Sequence, residues 1–149
     1  MREGVLALAA LLAVAGAQPA TAADRTYDRR FGSLILYDFD GRAIWELQAM
    51  CAGFHRATAS YWSERGRRDR ARAAEVASAQ ATNRVVQQLK RDRGIDSRNE
   101  AIRLAAASEQ VGWRVTRKAL AKDDTSEDGQ WNYWRSFCTE ADRVFFASQ

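Results

Sequence analysis

Proline is nearly missing from this 149-residue chain, and the one it has, Pro19, lies close to the start. Beyond it, nothing in the covalent chain forbids long unbroken helices. Cysteine is scarce, with Cys51 and Cys138 alone, so neither a disulfide-dense scaffold nor a multi-cysteine zinc site is built here. Histidine is represented once, by His55, which excludes an H-E-x-x-H metal helix. Also lacking are a C-x-x-C-H haem site, a glycine-rich phosphate loop, a G-x-S-x-G elbow, a calcium-loop pattern and an internal repeat. These absences remove the sequence signatures of most enzymes and cofactor carriers. Lysine is rare too: the positive charge is arginine apart from Lys90, Lys118 and Lys122, and the balance is +4.

The first stretch has Arg2, an apolar run from Val5 to about Ala17, and then the small residues Ala20, Thr21, Ala22 and Ala23. The run is about 13 residues, short of the about 20 that span a bilayer. It reads as a secretory signal peptide over residues 1–22, cut after Ala22 and excluded from the fold. No membrane span remains after cleavage. The expected location is periplasmic or secreted, and an even cysteine count in such an oxidising compartment points to a Cys51–Cys138 disulfide.

Residues 23–40 begin polar and turn apolar through Leu34, Ile35, Leu36 and Phe39 without a helical or a strand period, which predicts a short N-terminal arm. The bundle proper is expected over 41–149. A first helix is predicted from an Asp40 cap to about Gly66, with Ile44, Leu47, Cys51, Phe54, Thr58 and Tyr61 on one amphipathic face. A second runs to Arg93 with Ala71, Ala74, Ser78, Ala81, Val85 and Leu89 inward, Ser78 bonding back to its own helix, and Gly94 as the left-handed stop. The third starts at the S-x-x-E of Ser97 and Glu100, with Ala101, Leu104, Ser108, Val111, Val115 and Ala119 as its seam, and fails at Lys122. After a solvated loop to Gln130, a fourth carries Trp131, Trp134, Cys138, Ala141 and Phe145, flanked by Phe137, Val144 and Phe146.

The pattern is all-α: an antiparallel four-helix bundle with a short N-terminal arm. Its first and fourth helices place Cys51 and Cys138 at similar heights, so the disulfide would join them. Glu46, Glu75, Glu109 and Glu140 fall outside the apolar stripes and are expected to be solvated or paired along the helix.

One pole of such a bundle would gather Tyr61, Trp62, Trp131, Tyr133 and Trp134 with Arg65, Arg67, Arg68, Arg70 and Arg72. Arginine beside aromatic rings suits cation–π stacking and recognition of carboxylate or phosphate groups. The Arg-rich turns fall at opposite poles and make no continuous footprint, so nucleic acid is not the expected partner. No catalytic residue, metal ligand or cofactor is expected. The reading is a non-catalytic envelope binding or accessory module, meeting an envelope protein or an anionic envelope component. The alternatives are a small-molecule carrier using the bundle core between the small-residue face of the second helix and the aromatics of the first and fourth, and, more weakly, an enzyme built on His55 with nearby carboxylates.

Overall fold

From Ile44 to Phe54 the chain carries a single charged residue, Glu46, and every residue of the stretch is buried. This is the core of α1 (Ile44–Glu64), followed by α2 (Arg68–Arg93), α3 (Arg98–Leu120) and α4 (Gln130–Ala147). The computed structural model describes residues 24–28, 30, 38–122 and 125–149. The leader assigned to 1–22, most of the arm, and Asp123 and Asp124 of the last loop lie outside the described residues.

The helices form an antiparallel four-helix bundle, and side-chain pairs fix its directions. Gln48 donates to Asp142 at 3.2 Å, Cys51 is bonded to Cys138, and Trp131 Nε1 donates to Thr58 at 3.2 Å, so α4 runs against α1. Ser78 on α2 meets Ala52, while the Arg93 guanidinium lies over the Trp45 ring, so α2 also runs against α1. Along α3, Gly112 meets Met50 and Arg117 meets Glu64, which makes α3 parallel to α1 across the diagonal. That diagonal is the close one. The α1–α3 and α1–α2 contacts are extensive, whereas α2 and α4 barely meet, so α1 is the central element. The amphipathic reading of α1 is corrected accordingly: the predicted face is buried, and so are Trp45, Ala49, Ala52, Gly53 and Ala57 on its other sides.

The α3 seam is also displaced from the predicted one. Ala101, Ala105, Ser108, Gly112, Thr116, Ala119 and Leu120 are buried, while Leu104, Val111 and Val115 are half-buried. The reason is backbone proximity to α1. A Cβ on Gly53 would stand 1.9 Å from the Glu109 carbonyl oxygen, and one on Gly112 would stand 1.9 Å from that of Met50. Only small side chains permit such a crossing, and they therefore take the interface from the larger ones.

Boundaries follow local chemistry. Gly66 and Gly94 take the left-handed φ values of 67° and 68° at the turns after α1 and α2, a conformation glycine adopts without a Cβ clash. Ser97 Oγ accepts from the Glu100 amide at 3.3 Å and starts α3. Asp40 does not cap α1. Gly41 has φ 76°, and residues 41–44 are held to the arm by bonds from Gly41 N–H to Tyr27 O, Tyr27 N–H to Arg42 O and Ile44 N–H to Arg25 O, so the helix starts only at Ile44. The described part of the arm is anchored further by Asp24, whose carboxylate accepts from Arg93 Nε and Nη2 at 2.7 and 2.6 Å with the Asp24 side chain fully buried.

The disulfide of Cys51 and Cys138 joins α1 to α4 with a Cα–Cα distance of 5.5 Å. Around it pack Leu47, Phe54, Tyr27, Phe137 and Ala141, with Phe39 laid edge-on against Phe137. A second cluster, Trp45, Ala49, Val85, Leu89, Ala101 and Ala105, fills the space between α1, α2 and α3. Ser78 does not bond within its own helix: its hydroxyl donates to the Ala52 carbonyl of α1 at 2.9 Å. Phe146, expected on the flank of the α4 seam, is instead 61% exposed, with the Arg84 guanidinium over its ring.

Candidate functional site

The arginine and aromatic residues of the predicted pole are distributed over three settings. At the α1–α2 turn the Tyr61 and Trp62 rings meet edge to face, the Arg65 guanidinium carbon lies 3.6 Å from the Tyr61 centroid, and that of Arg70 lies 4.7 Å from the Trp62 indole. Tyr61 is buried and Trp62 half-buried. Arg67, Arg68 and Arg72 are exposed on the same turn and the first turns of α2. Beside them Glu64 bonds Ser60 and Arg117, each at 3.0 Å, and these two bonds hold its carboxyl below the usual glutamate value.

Trp131 is half-buried and packs against the core instead. Its indole lies on Phe54, donates to Thr58 and carries Arg135 at 5.7 Å. Trp134 faces another direction, edge-on to Phe39, Phe137 and Tyr133. The structure thus brings together Tyr61, Trp62, Arg65 and Arg70, while Trp131, Tyr133 and Trp134 serve other surroundings.

Trp134 instead forms one wall of a groove that sequence reasoning did not anticipate. The groove encloses about 400 Å³ between the end of α3 and the start of α4, and is lined by Val115, Lys118, Ala119, Lys122, Gln130 and Trp134. Val115, Lys118 and Ala119 lie on one face of α3 and Lys122 follows in the turn just past its end, so the same side carries both cations and apolar groups. That spacing was readable in the sequence, but the seam was assigned there by apolar size alone. The bundle interior offers far less room. Between Ala49, Ala52, Thr82, Val85, Ile102 and Ala105 the cavity is about 10 Å³, because the small-residue face of α2 lies directly on α1.

His55 is half-buried on α1 with its ring edge-on to Phe54. Burial holds its pKa below the ordinary histidine value; the Asp142 charge opposes this and the Arg84 charge adds to it. Asp142 is itself bonded to Arg84 at 2.6 Å and to Gln48. Cys51 is oxidised, so no thiolate is present to pair with the imidazole. Among the described residues, no group of three or more His, Cys, Asp and Glu side chains is placed to hold a metal ion.

Glu46 has the expected i,i+4 partner in Arg42, but it is buried rather than solvated. It is 2% exposed, accepts from the Ala43 amide at 3.3 Å and has Arg42 at 3.7 Å, and burial raises its pKa. Glu109 pairs across helices with Arg56 at 3.2 Å, Glu140 pairs with Arg143 along α4 at 2.8 Å, and Glu75 is exposed.

These shifts have opposite consequences on acidification. The unfolded chain binds a proton at His55 before the folded one does, so stability falls as pH drops through about 6.5 and levels off once the folded imidazole is charged. Glu46 binds its proton first in the folded state, so it adds stability as pH falls through its raised pKa towards about 4.5. His55→Gln is therefore expected to reduce the loss in urea midpoint between about pH 7.5 and pH 5, and Glu46→Gln to enlarge it. Parallel pH profiles for wild type and His55→Gln would refute the assignment for His55.

Compared with known proteins, the chain matches no family model, no curated protein and no solved structure.

Proposed function

We propose that this protein is an exported, non-catalytic binding module of the cell envelope, periplasmic or secreted, whose α1–α2 turn engages an anionic envelope component. The observation that carries this reading is the stacking of Arg65 on Tyr61 and Arg70 on Trp62. A guanidinium stacked on a ring is held in place by cation–π attraction and carries its charge on a planar fork that matches a carboxylate or phosphate, so less side-chain entropy is lost when that anion binds. Arg67, Arg68 and Arg72 extend the same positive surface. Export is supported by the leader-like residues 1–22 and by a disulfide chemistry that persists in oxidising compartments. No helix among the described residues is long and apolar enough to cross a membrane, so engagement of an envelope surface would be peripheral.

The test is co-sedimentation of the folded, oxidised protein with phosphatidylglycerol vesicles and with phosphatidylcholine vesicles across a salt series. Binding is expected only to the anionic vesicles and should weaken with salt. The pair Arg65→Ala and Arg70→Ala should lower affinity about tenfold, the scale of one or two lost charge-assisted contacts, with little change in melting temperature. Trp62→Ala should act in the same direction. Equal binding to both vesicle types, or a double variant that binds like wild type, would overturn the reading.

A further inference from the structure

We propose that the groove between α3 and α4 binds one free, single-chain amphiphilic carboxylate, with its tail on Val115, Ala119 and Trp134 and its headgroup between the ammonium groups of Lys118 and Lys122. The cavity is about 400 Å³, within the range of small-molecule pockets and suited to one chain rather than the two of a bilayer lipid. The residue spacing places an apolar strip between charged margins. Val115 and Ala119 lie one helical turn apart, Lys118 and Lys122 flank them at the same interval, and Gln130 and Trp134 face them from the first two turns of α4.

Two other basic residues are paired elsewhere. Lys90, the remaining lysine, pairs with Asp96 at 2.8 Å, and Arg117, next to Lys118, is turned to Glu64. Neither Lys118 nor Lys122 has an ion-pair partner among the described residues, although the loop that follows carries the exposed acids Glu127 and Asp128. The carbonyl end of α3 and the acidic loop of Asp123, Asp124, Glu127 and Asp128 oppose an anion, so the attraction for a carboxylate is local to the two ammonium groups. The Trp134 wall is fixed in advance by its edge contacts with Phe39 and Phe137, at centroid distances of 6.4 and 5.0 Å. A small free anion would leave that apolar wall uncovered, and a neutral chain would leave the two cations without a counterion. The amphiphile satisfies both. This inference does not depend on the arginine surface of the α1–α2 turn.

Calorimetric titration of the oxidised full chain with dodecanoate, below the concentration at which it forms micelles, tests the proposal. One saturable site is expected, with butyrate and dodecyltrimethylammonium binding at least about tenfold more weakly. The double substitution Lys118→Ala and Lys122→Ala should weaken dodecanoate about tenfold with an unchanged melting temperature, because both side chains are exposed. Trp134→Phe should remove the indole fluorescence change that accompanies binding. Butyrate binding as tightly as dodecanoate would leave only a headgroup site, and dodecyltrimethylammonium binding equally would leave only an apolar one. Multiple surfactant molecules adsorbing equally to wild type and to the lysine variant would likewise overturn the proposal. Arg65→Ala with Arg70→Ala should leave dodecanoate affinity intact. If it does not, the groove is not a separate site and the inference fails, while a failed vesicle experiment alone leaves it standing.

Discussion

Gly112→Ala is expected to destabilise the domain by about 2 kcal/mol or more, although alanine is the better helix former. Glycine to alanine inside a helix favours folding by about 1 kcal/mol through backbone entropy and propensity. Overpacking opposes it, at about 1–3 kcal/mol and more where nothing yields. The new methyl would stand 1.9 Å from the Met50 carbonyl oxygen and 2.7 Å from its carbonyl carbon, and these are backbone atoms of the central helix with no rotamer to change. The steric effect therefore wins. Gly53→Ala meets the Glu109 carbonyl oxygen and the Trp113 amide nitrogen in the same way, so it should cost a similar amount. Because both methyls push apart the same pair of helices, the double variant should lose less than the sum of the singles. Urea denaturation followed by circular dichroism measures all three free energies, and thermal melts should show each single lowering the melting temperature by roughly 4–8 °C for a chain of this size. A Gly112→Ala variant as stable as wild type would mean that α1 and α3 do not cross in backbone contact.

The same crossing explains where the sequence was a good guide and where it was not. Signals that act within a few residues were legible: Gly66 and Gly94 end helices, Ser97 starts one, and the pairing of Cys51 with Cys138 followed from equal height on antiparallel neighbours. Interhelix choices were not. Periodicity placed Ala101, Ser108 and Ala119 on the seam correctly but filled it out with Leu104, Val111 and Val115, whereas an α1–α3 approach set by backbone contact selects Ala105, Gly112 and Thr116. Glu46, on what periodicity marked as a solvent face, is buried among Arg42, Ala43, Asp24 of the arm and Arg93 at the end of α2, a long-range packing no local pattern shows. Asp40 was a plausible cap by residue type, but the arm claims the backbone of residues 41–44 first. At the pole, the clustering of rings in sequence was visible, yet the direction of each ring depends on its place on the helix. Trp131 and Trp134 sit almost one turn apart on α4, and one packs against the core while the other walls the groove.

Reduction, or Cys51→Ala with Cys138→Ala, is expected to cost about 4–5 kcal/mol, the scale that chain-entropy reasoning gives for releasing a link across 87 residues. The loss should not be spread evenly. α2 reaches α4 through arginine side chains, Arg84 on Asp142 and Phe146 and Arg91 on Ser148, and α3 touches it only sparsely, so the apolar attachment of α4 is chiefly to α1 and the cysteine link. The cluster of Trp45, Ala49, Val85, Leu89, Ala101 and Ala105 contains no α4 residue and can hold α1, α2 and α3 together without it. Hydrogen exchange in reductant should therefore show protection lost first along Gln130–Ala147, while amides around Ala49, Val85 and Ala105 remain slow. Thermal melts with and without reductant give the size of the effect, and a melting temperature that ignores reductant would remove the disulfide from the stability argument altogether. Uniform loss of protection would instead mean that the two clusters unfold as one unit. Detachment of α4 would also open the groove, since α4 supplies Gln130 and Trp134 to it, whereas the stacked arginines of the α1–α2 turn draw on α1 and α2 alone. Dodecanoate binding in the groove should then be lost in reductant while the cluster of α1, α2 and α3 stays folded, which ties the groove to the Cys51–Cys138 link.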